Sequence, residues 1–212
     1  MRVQSTEHLT EVLRLLLVTD EELLEGRDWV AVCRQAVEGG ATAVQVRHTT
    51  ATARELAAMT TAIADAVTVP VFVNDRLDVA LAAGAAGVHL GVDDVPVRLA
   101  RKIAPPGFLI GASVGSDAEV AGGEGADYWG IGPLHGTSTK PDAGSAIGLD
   151  GLAALVAKSN GLPCVAIGGV RPEDVEPIRA VGAAGVAVVS GILSASDVVA
   201  AAARYAHRTG GW

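Results

Sequence analysis

The chain has few aromatic residues, few cysteines and no long hydrophobic run. Aromatic residues make up 3% of its 212 residues, so a hydrophobic core must be built from Ala, Val, Leu and Ile. Cys33 and Cys164 share no motif, which indicates two buried thiols in a reducing compartment rather than a disulfide-stapled mini-protein. No apolar run approaches the roughly 18 residues of a membrane-spanning helix, and the polar N-terminal residues differ from a signal peptide. We therefore expect a cytoplasmic protein that does not associate with membranes.

Positive charge is also scarce. The chain has 16 basic and 24 acidic residues, a net charge of −8 at pH 7. This balance disfavours general attraction to nucleic acid or to an anionic membrane surface. If the protein binds an anionic small molecule, the groups that attract it must be gathered in one local site.

Short apolar segments alternate with longer Ala-rich segments along the chain. The apolar segments have the composition of strands buried on both faces, and they cover residues 13–19, 43–47, 71–74, 87–90, 109–113, 128–132, 164–168 and 185–190. The Ala-rich segments have helical spacing, and they cover residues 29–38, 52–67, 77–83, 97–103, 118–124, 149–158, 172–180 and 196–207.

This alternation predicts an α/β protein with a single (β/α)₈ TIM barrel domain over residues 1–212. Residues 1–12 are expected to form an N-terminal extension or helix, and residues 208–212 a flexible tail. A doubly wound open sheet is the alternative, because periodicity does not reveal whether a sheet closes.

Polar residues follow the predicted strands at their carboxyl ends. In a (β/α)₈ barrel these ends form one face, and active sites lie there. The residues concerned are Gln45, Arg47, Asn74, Asp75, His89, Asp94, Ser113, Thr137, Thr139, Lys140, Gly168, Gly169, Ser190 and Gly191. We therefore expect one functional site at this face.

Two carboxylates from successive strand ends suit a magnesium ion. Asp75 and Asp94 would share one water-accessible mouth, where Mg²⁺ keeps waters and also binds substrate phosphate oxygens. The alternative is that each of them caps the helix that follows it. Spacing does not decide whether Asp93 or Asp94 points inward.

Several loops suit phosphate groups. Gly168-Gly169 and Ser190-Gly191 follow the seventh and eighth predicted strands, the usual phosphate-binding position of these barrels, and tight turns are the alternative. The phrase Thr137-Ser-Thr-Lys140 combines hydroxyl groups with an ammonium group, which suits a loop that closes over a diphosphate or, alternatively, an ordinary solvated loop.

The second predicted strand ends with an amide and a guanidinium group. Arg47 suits a bidentate grip on phosphate, and Gln45, two residues earlier on the same strand face, suits an amine edge. The alternative is an ion pair of Arg47 with a helix carboxylate. His89 at the end of the fourth strand is interpreted as a core histidine satisfied by backbone.

Taken in order, the strand-end phrases resemble those of thiamine-phosphate synthases, a family of (β/α)₈ barrels, over nearly the whole chain. The matching phrases are Leu17-Val-Thr-Asp20, Gln45-Val-Arg47, Val73-Asn-Asp-Arg76, Gly87-Val-His-Leu-Gly91 with Asp94, Ile110-Gly-Ala-Ser113, Ala126-Asp-Tyr128, Gly132-Pro133, Thr137-Ser-Thr-Lys140, Ala166-Ile-Gly-Gly169 and Val188-Val-Ser190.

The resemblance implies a transferase. It would condense 4-amino-2-methyl-5-hydroxymethylpyrimidine diphosphate with hydroxyethylthiazole phosphate, or its carboxylated form, to give thiamine phosphate and pyrophosphate with the help of Mg²⁺. The family mechanism is dissociative, so pyrophosphate leaves before the thiazole nitrogen attacks. Neither a nucleophilic side chain nor a general base is required, which agrees with the lack of a Ser-His or Cys-His signature in the sequence.

The resemblance also implies roles for individual residues. Asp75 and Asp94 would bind Mg²⁺. The pyrimidine diphosphate would be held by Gln45, Arg47, Asn74, Ser113 and Lys140, of which the last four take part in catalysis. The thiazole phosphate would be held by Thr137, Thr139, Gly169, Val189 and Ser190. The partners are then small phosphorylated molecules, and the sequence is compatible with a homo-oligomer.

One phrase departs from the family pattern. The family usually continues Gln-x-Arg with an acidic residue and a Lys that meets the pyrophosphate, whereas this chain has His48 and Thr49. The missing cation keeps two alternatives open: a thiazole tautomerase of the same fold, and a non-catalytic paralogue that binds thiazole phosphate or thiamine phosphate. Both Asp residues, Pro133 and the Thr-Ser-Thr-Lys phrase argue against the tautomerase.

Overall fold

Eight parallel strands form a closed barrel in the computed structural model, which describes residues 6–137 and 144–209. The strands are β1 (Leu15–Val18), β2 (Ala43–Val46), β3 (Val71–Asn74), β4 (Gly87–Leu90), β5 (Leu109–Ser113), β6 (Tyr128–Ile131), β7 (Cys164–Ala166) and β8 (Gly185–Val188). Each strand pairs with the next, and β8 pairs with β1. Closure confirms the predicted (β/α)₈ barrel and excludes the open sheet.

Helices follow the strands and surround the barrel. The α-helices are α1 (Thr6–Val12), α2 (Trp29–Glu38), α3 (Ala53–Ala66), α4 (Leu77–Ala82), α5 (Val97–Ile103), α6 (Gly148–Lys158), α7 (Val175–Ala180), α8 (Ser190–Leu193) and α9 (Val198–Thr209). Sequence signals fix some of their starts: Thr52 and Glu55 form a capping box at α3. Within the described ranges, no helix is long and apolar enough to cross a membrane.

Four of the predicted segments need corrected boundaries. Residues 118–123 of the predicted helix 118–124 belong to a 3₁₀ helix, Asp117–Gly123, because the adjacent Gly122 and Gly123 disfavour an α-helix. The segment 172–180 divides into a 3₁₀ turn, Pro172–Asp174, and α7. The last strand ends at Val188, so Ser190 begins the short helix α8 instead of ending β8. The last helix continues to Thr209, two residues into the segment 208–212.

The strands are buried on both faces. Their outward side chains form the larger hydrophobic cluster, between barrel and helices. Their inward side chains form a second cluster inside the barrel, which includes Leu16, Phe72, Leu109 and Tyr128 and which Leu9 of α1 joins. This interior is apolar where the strands begin.

The inward series becomes polar where the strands end. Side chains two residues apart on a strand share a face. Gln45 therefore continues the series of buried Ala43, Asn74 that of Phe72, and Ser113 that of Leu109. Because inward positions recur every two residues along a strand, these three polar side chains lie at the carboxyl-terminal end of the barrel interior.

Candidate active site

An amide pair lies at the ends of β2 and β3. Gln45 is 4% exposed, and its Nε2 donates to Oδ1 of Asn74 at 2.7 Å. This bond orients both amides, because each has distinct donor and acceptor atoms. The amide nitrogen of Asn74 therefore points away from Gln45, and the side-chain carbonyl oxygen of Gln45 points away from Asn74.

Arg47 pairs with two carboxylates from the loop after β1. Its Nη1 lies 2.8 Å from Oδ2 of Asp20 and 3.7 Å from Oε2 of Glu21. The Thr19 hydroxyl donates to the Arg47 carbonyl, and the Arg47 backbone N–H donates to the same hydroxyl. The predicted carboxylate partner therefore exists, but it lies in a loop and not on a helix. Both ion-pair contacts use one nitrogen of the guanidinium group.

Glu21 is held as an anion. Burial raises the pKa of its carboxyl group, but hydrogen bonds from the Thr49 hydroxyl and from the backbone of Glu21 and Thr49, with the positive charge of Arg47, outweigh burial. The pKa of Glu21 therefore lies below its ordinary value. Its Oε2 is buried and has no hydrogen-bond partner within the described ranges.

His89 connects two hydroxyl groups. Its Nδ1 lies 3.1 Å from Oη of Tyr128, and its Nε2 lies 3.1 Å from Oγ of Ser113. The interpretation of His89 as a histidine satisfied by backbone was wrong for the imidazole ring, which bonds to side chains. Ser113 is half-buried at the end of β5.

Asp75 and Asp94 follow adjacent strands at one end of the barrel. The backbone N–H of Asp75 donates to the carbonyl of His89 at 2.8 Å, which ties the turn after β3 to β4. Oδ2 of Asp94 accepts from the Gly91 backbone N–H at 2.6 Å. Both are half-buried, whereas Asp93 is exposed.

The capping alternative for these two aspartates was wrong. Helix α4 begins after Arg76 and α5 after Pro96, and neither of these residues makes a side-chain capping bond. Asp75 instead adopts a left-handed conformation, with φ of 61°. Asp and Asn tolerate this conformation better than most residues with a Cβ atom.

The loops after β6, β7 and β8 form the other side of the site. Gly168 and Gly169 have φ of 89° and 64°, and a Cβ atom on Gly168 would lie 2.5 Å from Cβ of Pro133. The backbone N–H of His135 donates to the Gly168 carbonyl at 3.0 Å, which joins two of these loops. Val189 is half-buried and Ser190 is exposed at the start of α8.

Only part of the predicted diphosphate loop is described. Thr137 is half-buried, and it follows His135, whose backbone N–H donates to the Gly168 carbonyl. Thr139 and Lys140 lie outside the described residues.

Sequence reasoning missed Tyr128, Asp20 and Glu21 as parts of the site. For Tyr128 a signal existed: it occupies an inward position of β6, and Gly111 on the neighbouring strand leaves room for its ring. For the two carboxylates the signal was weak, because their contact with Arg47 depends on how the loop after β1 bends toward β2.

The carboxyl-terminal end of this (β/α)₈ barrel holds guanidinium, amide and hydroxyl groups. They lie beside two carboxylates and beside glycine-rich loops after β7 and β8. These are the features of an enzyme that acts on phosphorylated small molecules. The chain belongs to the thiamine monophosphate synthase family, whose model matches residues 15–192.

Individual relatives agree with the family model. The chain is 48% identical to a thiamine-phosphate synthase from Methanoculleus marisnigri over 193 residues, which cover 89% of this chain and 91% of that protein. It is 46% identical to one from Chloroflexus aurantiacus, with 89% of each chain covered.

Solved structures agree as well. A thiamine phosphate pyrophosphorylase from Pyrococcus furiosus is 37% identical and superposes with a TM-score of 0.86 over 96% of this chain and 98% of that chain. A 3-hexulose-6-phosphate synthase is 20% identical with a TM-score of 0.71, over 92% of this chain and 99% of that chain, and this likeness shows the fold alone.

Proposed function

We propose that the carboxyl-terminal end of this barrel carries out the thiamine-phosphate synthase reaction. The enzyme would join the pyrimidine-methyl group of hydroxymethylpyrimidine diphosphate to the nitrogen of hydroxyethylthiazole phosphate or its carboxylated form. The observation that carries the proposal is the arrangement of Gln45, Asn74 and Ser113, which point into one end of the barrel beside Arg47. The names of the relatives favour this activity over the tautomerase and the non-catalytic binder.

The amide pair supports a pyrimidine site. Because Gln45 donates to Asn74 through Nε2, its Oε1 is the atom suited to accept from the 4-amino group of the pyrimidine. Asn74 accepts through Oδ1, so its amide nitrogen is suited to donate to a diphosphate oxygen. The bond between the two residues thus positions two parts of one substrate.

Asp75 and Asp94 fit a magnesium ion. Magnesium typically takes one or two protein carboxylates and completes its coordination with water and substrate phosphate. Within the described ranges, no group of three or more His, Cys, Asp and Glu side chains could hold a metal. When bound, Mg²⁺ would neutralise charge on the diphosphate.

The reaction itself needs stabilisation of a leaving anion. The bond between the pyrimidine methylene carbon and the diphosphate oxygen breaks, and its electron pair leaves with pyrophosphate. With hydroxyethylthiazole phosphate, the lone pair of the thiazole nitrogen then forms the new bond to the methylene carbon, so no proton has to be transferred. With the carboxylated form, the same bond formation is followed by loss of CO₂, and the carbon that carried the carboxylate takes up one proton from solvent. Arg47, Asn74, Ser113 and Lys140 would meet the negative charge, and loss of one such donor would cost on the order of 3 kcal/mol.

The second substrate would lie against the loops after β6, β7 and β8. The left-handed backbone of Gly169 and the segment of Val189 and Ser190 before α8 suit a monophosphate, and Thr137 and Thr139 would add hydroxyl donors. We place this reaction in the cytoplasm, without nucleic-acid or membrane partners, and in a protein that is compatible with a homo-oligomer.

The direct test is an assay of pyrophosphate release. Release should require both substrates and Mg²⁺. Asp94→Ala should lower turnover at least about 100-fold, whereas Asp93→Ala, on the exposed neighbour, should leave it near the wild-type rate.

Three results would contradict the proposal. With verified substrates, no turnover at all would reject the synthase. Conversion of thiazole carboxylate phosphate without pyrimidine or metal would identify a tautomerase, and calorimetric binding with neither activity would identify a binder. A normal rate for Asp94→Ala would reject the metal assignment alone.

A further inference from the structure

Tyr128, His89 and Ser113 form a line of hydrogen bonds from the centre of the barrel to its carboxyl-terminal end. Tyr128 is fully buried on β6, and Ser113 is half-buried at the end of β5. His89 on β4 bridges them with two contacts of 3.1 Å. Two glycines leave space for the rings of Tyr128 and His89. A Cβ atom on Gly111 would overlap the Tyr128 ring, and one on Gly130 would lie 2.8 Å from Cε1 of His89.

The phenol sets the direction of this line. Burial raises the pKa of Tyr128 far above its ordinary value, so the hydroxyl keeps its proton. Within the part of the chain that the structure describes, Nδ1 of His89 is the hydrogen-bond partner of Oη. A buried hydroxyl that lacks an acceptor is costly, so Tyr128 donates to Nδ1.

The remaining bond then follows from the chemistry of imidazole. A neutral ring that accepts at Nδ1 carries its proton on Nε2. Nε2 therefore donates to Oγ of Ser113, and Ser113 cannot direct its own proton back to His89. The serine hydroxyl is left with its proton aimed elsewhere.

We infer that Tyr128 and His89 are positioning residues that fix the Ser113 hydroxyl as a hydrogen-bond donor to the diphosphate leaving group. This inference rests on the proposed function, in which Ser113 meets the diphosphate. Diphosphate oxygens only accept, whereas a free serine hydroxyl rotates between donor and acceptor orientations. A hydroxyl oriented before the reaction stabilises the leaving anion without reorganisation.

The kinetic test is a double-mutant cycle on pyrophosphate release. Tyr128→Phe keeps the ring and removes the hydroxyl, and it should lower kcat about tenfold with little change in the KM for thiazole phosphate. In a Ser113→Ala background, Tyr128→Phe should change kcat less than about twofold, because the hydroxyl that it orients is gone. Additive effects, or an unchanged kcat for Tyr128→Phe alone, would overturn the inference.

A matched control separates orientation from lost stability. Thr60 is a fully buried residue of α3, and its hydroxyl donates to the Leu56 carbonyl at 2.7 Å. Thr60→Val also removes one buried hydroxyl, but this hydroxyl makes no hydrogen bond with Tyr128, His89 or Ser113. If Thr60→Val lowers kcat as much as Tyr128→Phe does, the effect of the tyrosine is structural and the inference fails.

Rescue by a conservative variant tests His89. In His89→Gln the side-chain oxygen can accept from Tyr128 while the nitrogen donates to Ser113, whereas His89→Leu does neither. We expect His89→Gln to retain at least about tenfold more activity than His89→Leu. Equal activity of the two variants would show that the hydrogen-bonding direction is irrelevant.

One measurement needs no substrate. Nitrogen-15 NMR of the full chain should show His89 with its proton on Nε2, and Tyr128→Phe should shift the ring toward a mixture of tautomers. A proton on Nδ1 in the wild type would overturn the inference. Failure of the proposed function is distinguishable, since it would abolish turnover and leave this NMR result unchanged.

Discussion

Thr49 donates its backbone N–H to Oε1 of Glu21 at 3.0 Å, and its hydroxyl donates to the same oxygen. The other oxygen of Glu21 lies 3.7 Å from Nη1 of Arg47. Position 49, where the family usually has a lysine, is thus connected to Arg47 through one carboxylate. Because Asp20 also pairs with Arg47, two negative groups face one guanidinium beside the proposed diphosphate site.

A lysine at position 49 should therefore strengthen the diphosphate site. His48 and Arg76 do not replace it, because the His48 ring stacks on Trp29 and Arg76 pairs with Asp78. We expect Thr49→Lys to raise kcat/KM for the pyrimidine diphosphate about tenfold, equivalent to about 1.4 kcal/mol. Steady-state kinetics measure this change. Thr50→Lys, which adds the same charge at the exposed neighbouring position, is the control, and an equal gain there would reject the local explanation.

Glu21 should make stability depend on acid pH. Its pKa in the folded protein lies below the ordinary value of 4.5. A carboxyl group whose pKa is lowered by folding contributes stability above its unfolded pKa, and this contribution is lost as the pH falls through the folded value. In urea titrations, the wild type should therefore lose more free energy of unfolding than Glu21→Gln between pH 7 and pH values below about 4.

The size of this difference should be modest. Because Glu21 is partly exposed, it should stay below about 1 kcal/mol. Glu22→Gln, at the exposed neighbour, serves as the control and should follow the wild type. The assignment of the effect to Glu21 fails if the two variants have the same pH dependence.

Both cysteines should be inert in the folded protein. Burial raises the pKa of Cys33 to about 12, and burial also raises the pKa of Cys164 despite an opposing hydrogen bond with Ser159. Thiolates are the reactive form, so a disulfide reagent such as DTNB should label neither residue at pH 8. In denaturant the same reagent should release two equivalents of chromophore. Rapid labelling of the native protein would contradict the buried placement.

The glycines that leave room for the interior rings should resist substitution. Gly111→Ala should lower the free energy of unfolding by about 1–3 kcal/mol or more, since the new methyl group overlaps the Tyr128 ring. Gly122→Ala is the matched control, because nothing lies within 4 Å of a Cβ atom there, and it should change stability by about 0.5 kcal/mol or less. Urea denaturation of both variants checks this, and equal losses would contradict the steric explanation.

The fold was predictable because one pattern repeats along the chain. Apolar strands followed by Ala-rich helices identified all eight strands, and closure through β1 and β8 followed from their number and not from any single residue. The exact ends of the strands and helices were harder to predict than their order. The β-branched Val188 and Val189 before Ser190 favour a strand up to this residue, but the backbone turns into α8 here, which local composition does not show.

The candidate site was predictable where the two-residue period of the strands applies. Gln45, Asn74 and Ser113 point inward because they continue buried inward positions, so their type and place could be stated from sequence. The contact of Glu21 with Thr49 and Arg47 joins residues far apart in sequence through irregular loops. No periodicity describes such a contact, because it depends on how the two loops fold against each other.

The left-handed backbone at Asp75 has a consequence for the range of residues that a saturation library would recover at this position. Selection for a folded protein should recover Asn and Gly, which accept φ of 61°. Selection for activity should recover Asp alone, because the proposed magnesium site needs the charge as well. Glutamate, which conserves the charge, should fold less well than asparagine, which removes it. At codon 75 chemical similarity and structural tolerance should rank the same substitutions in opposite orders.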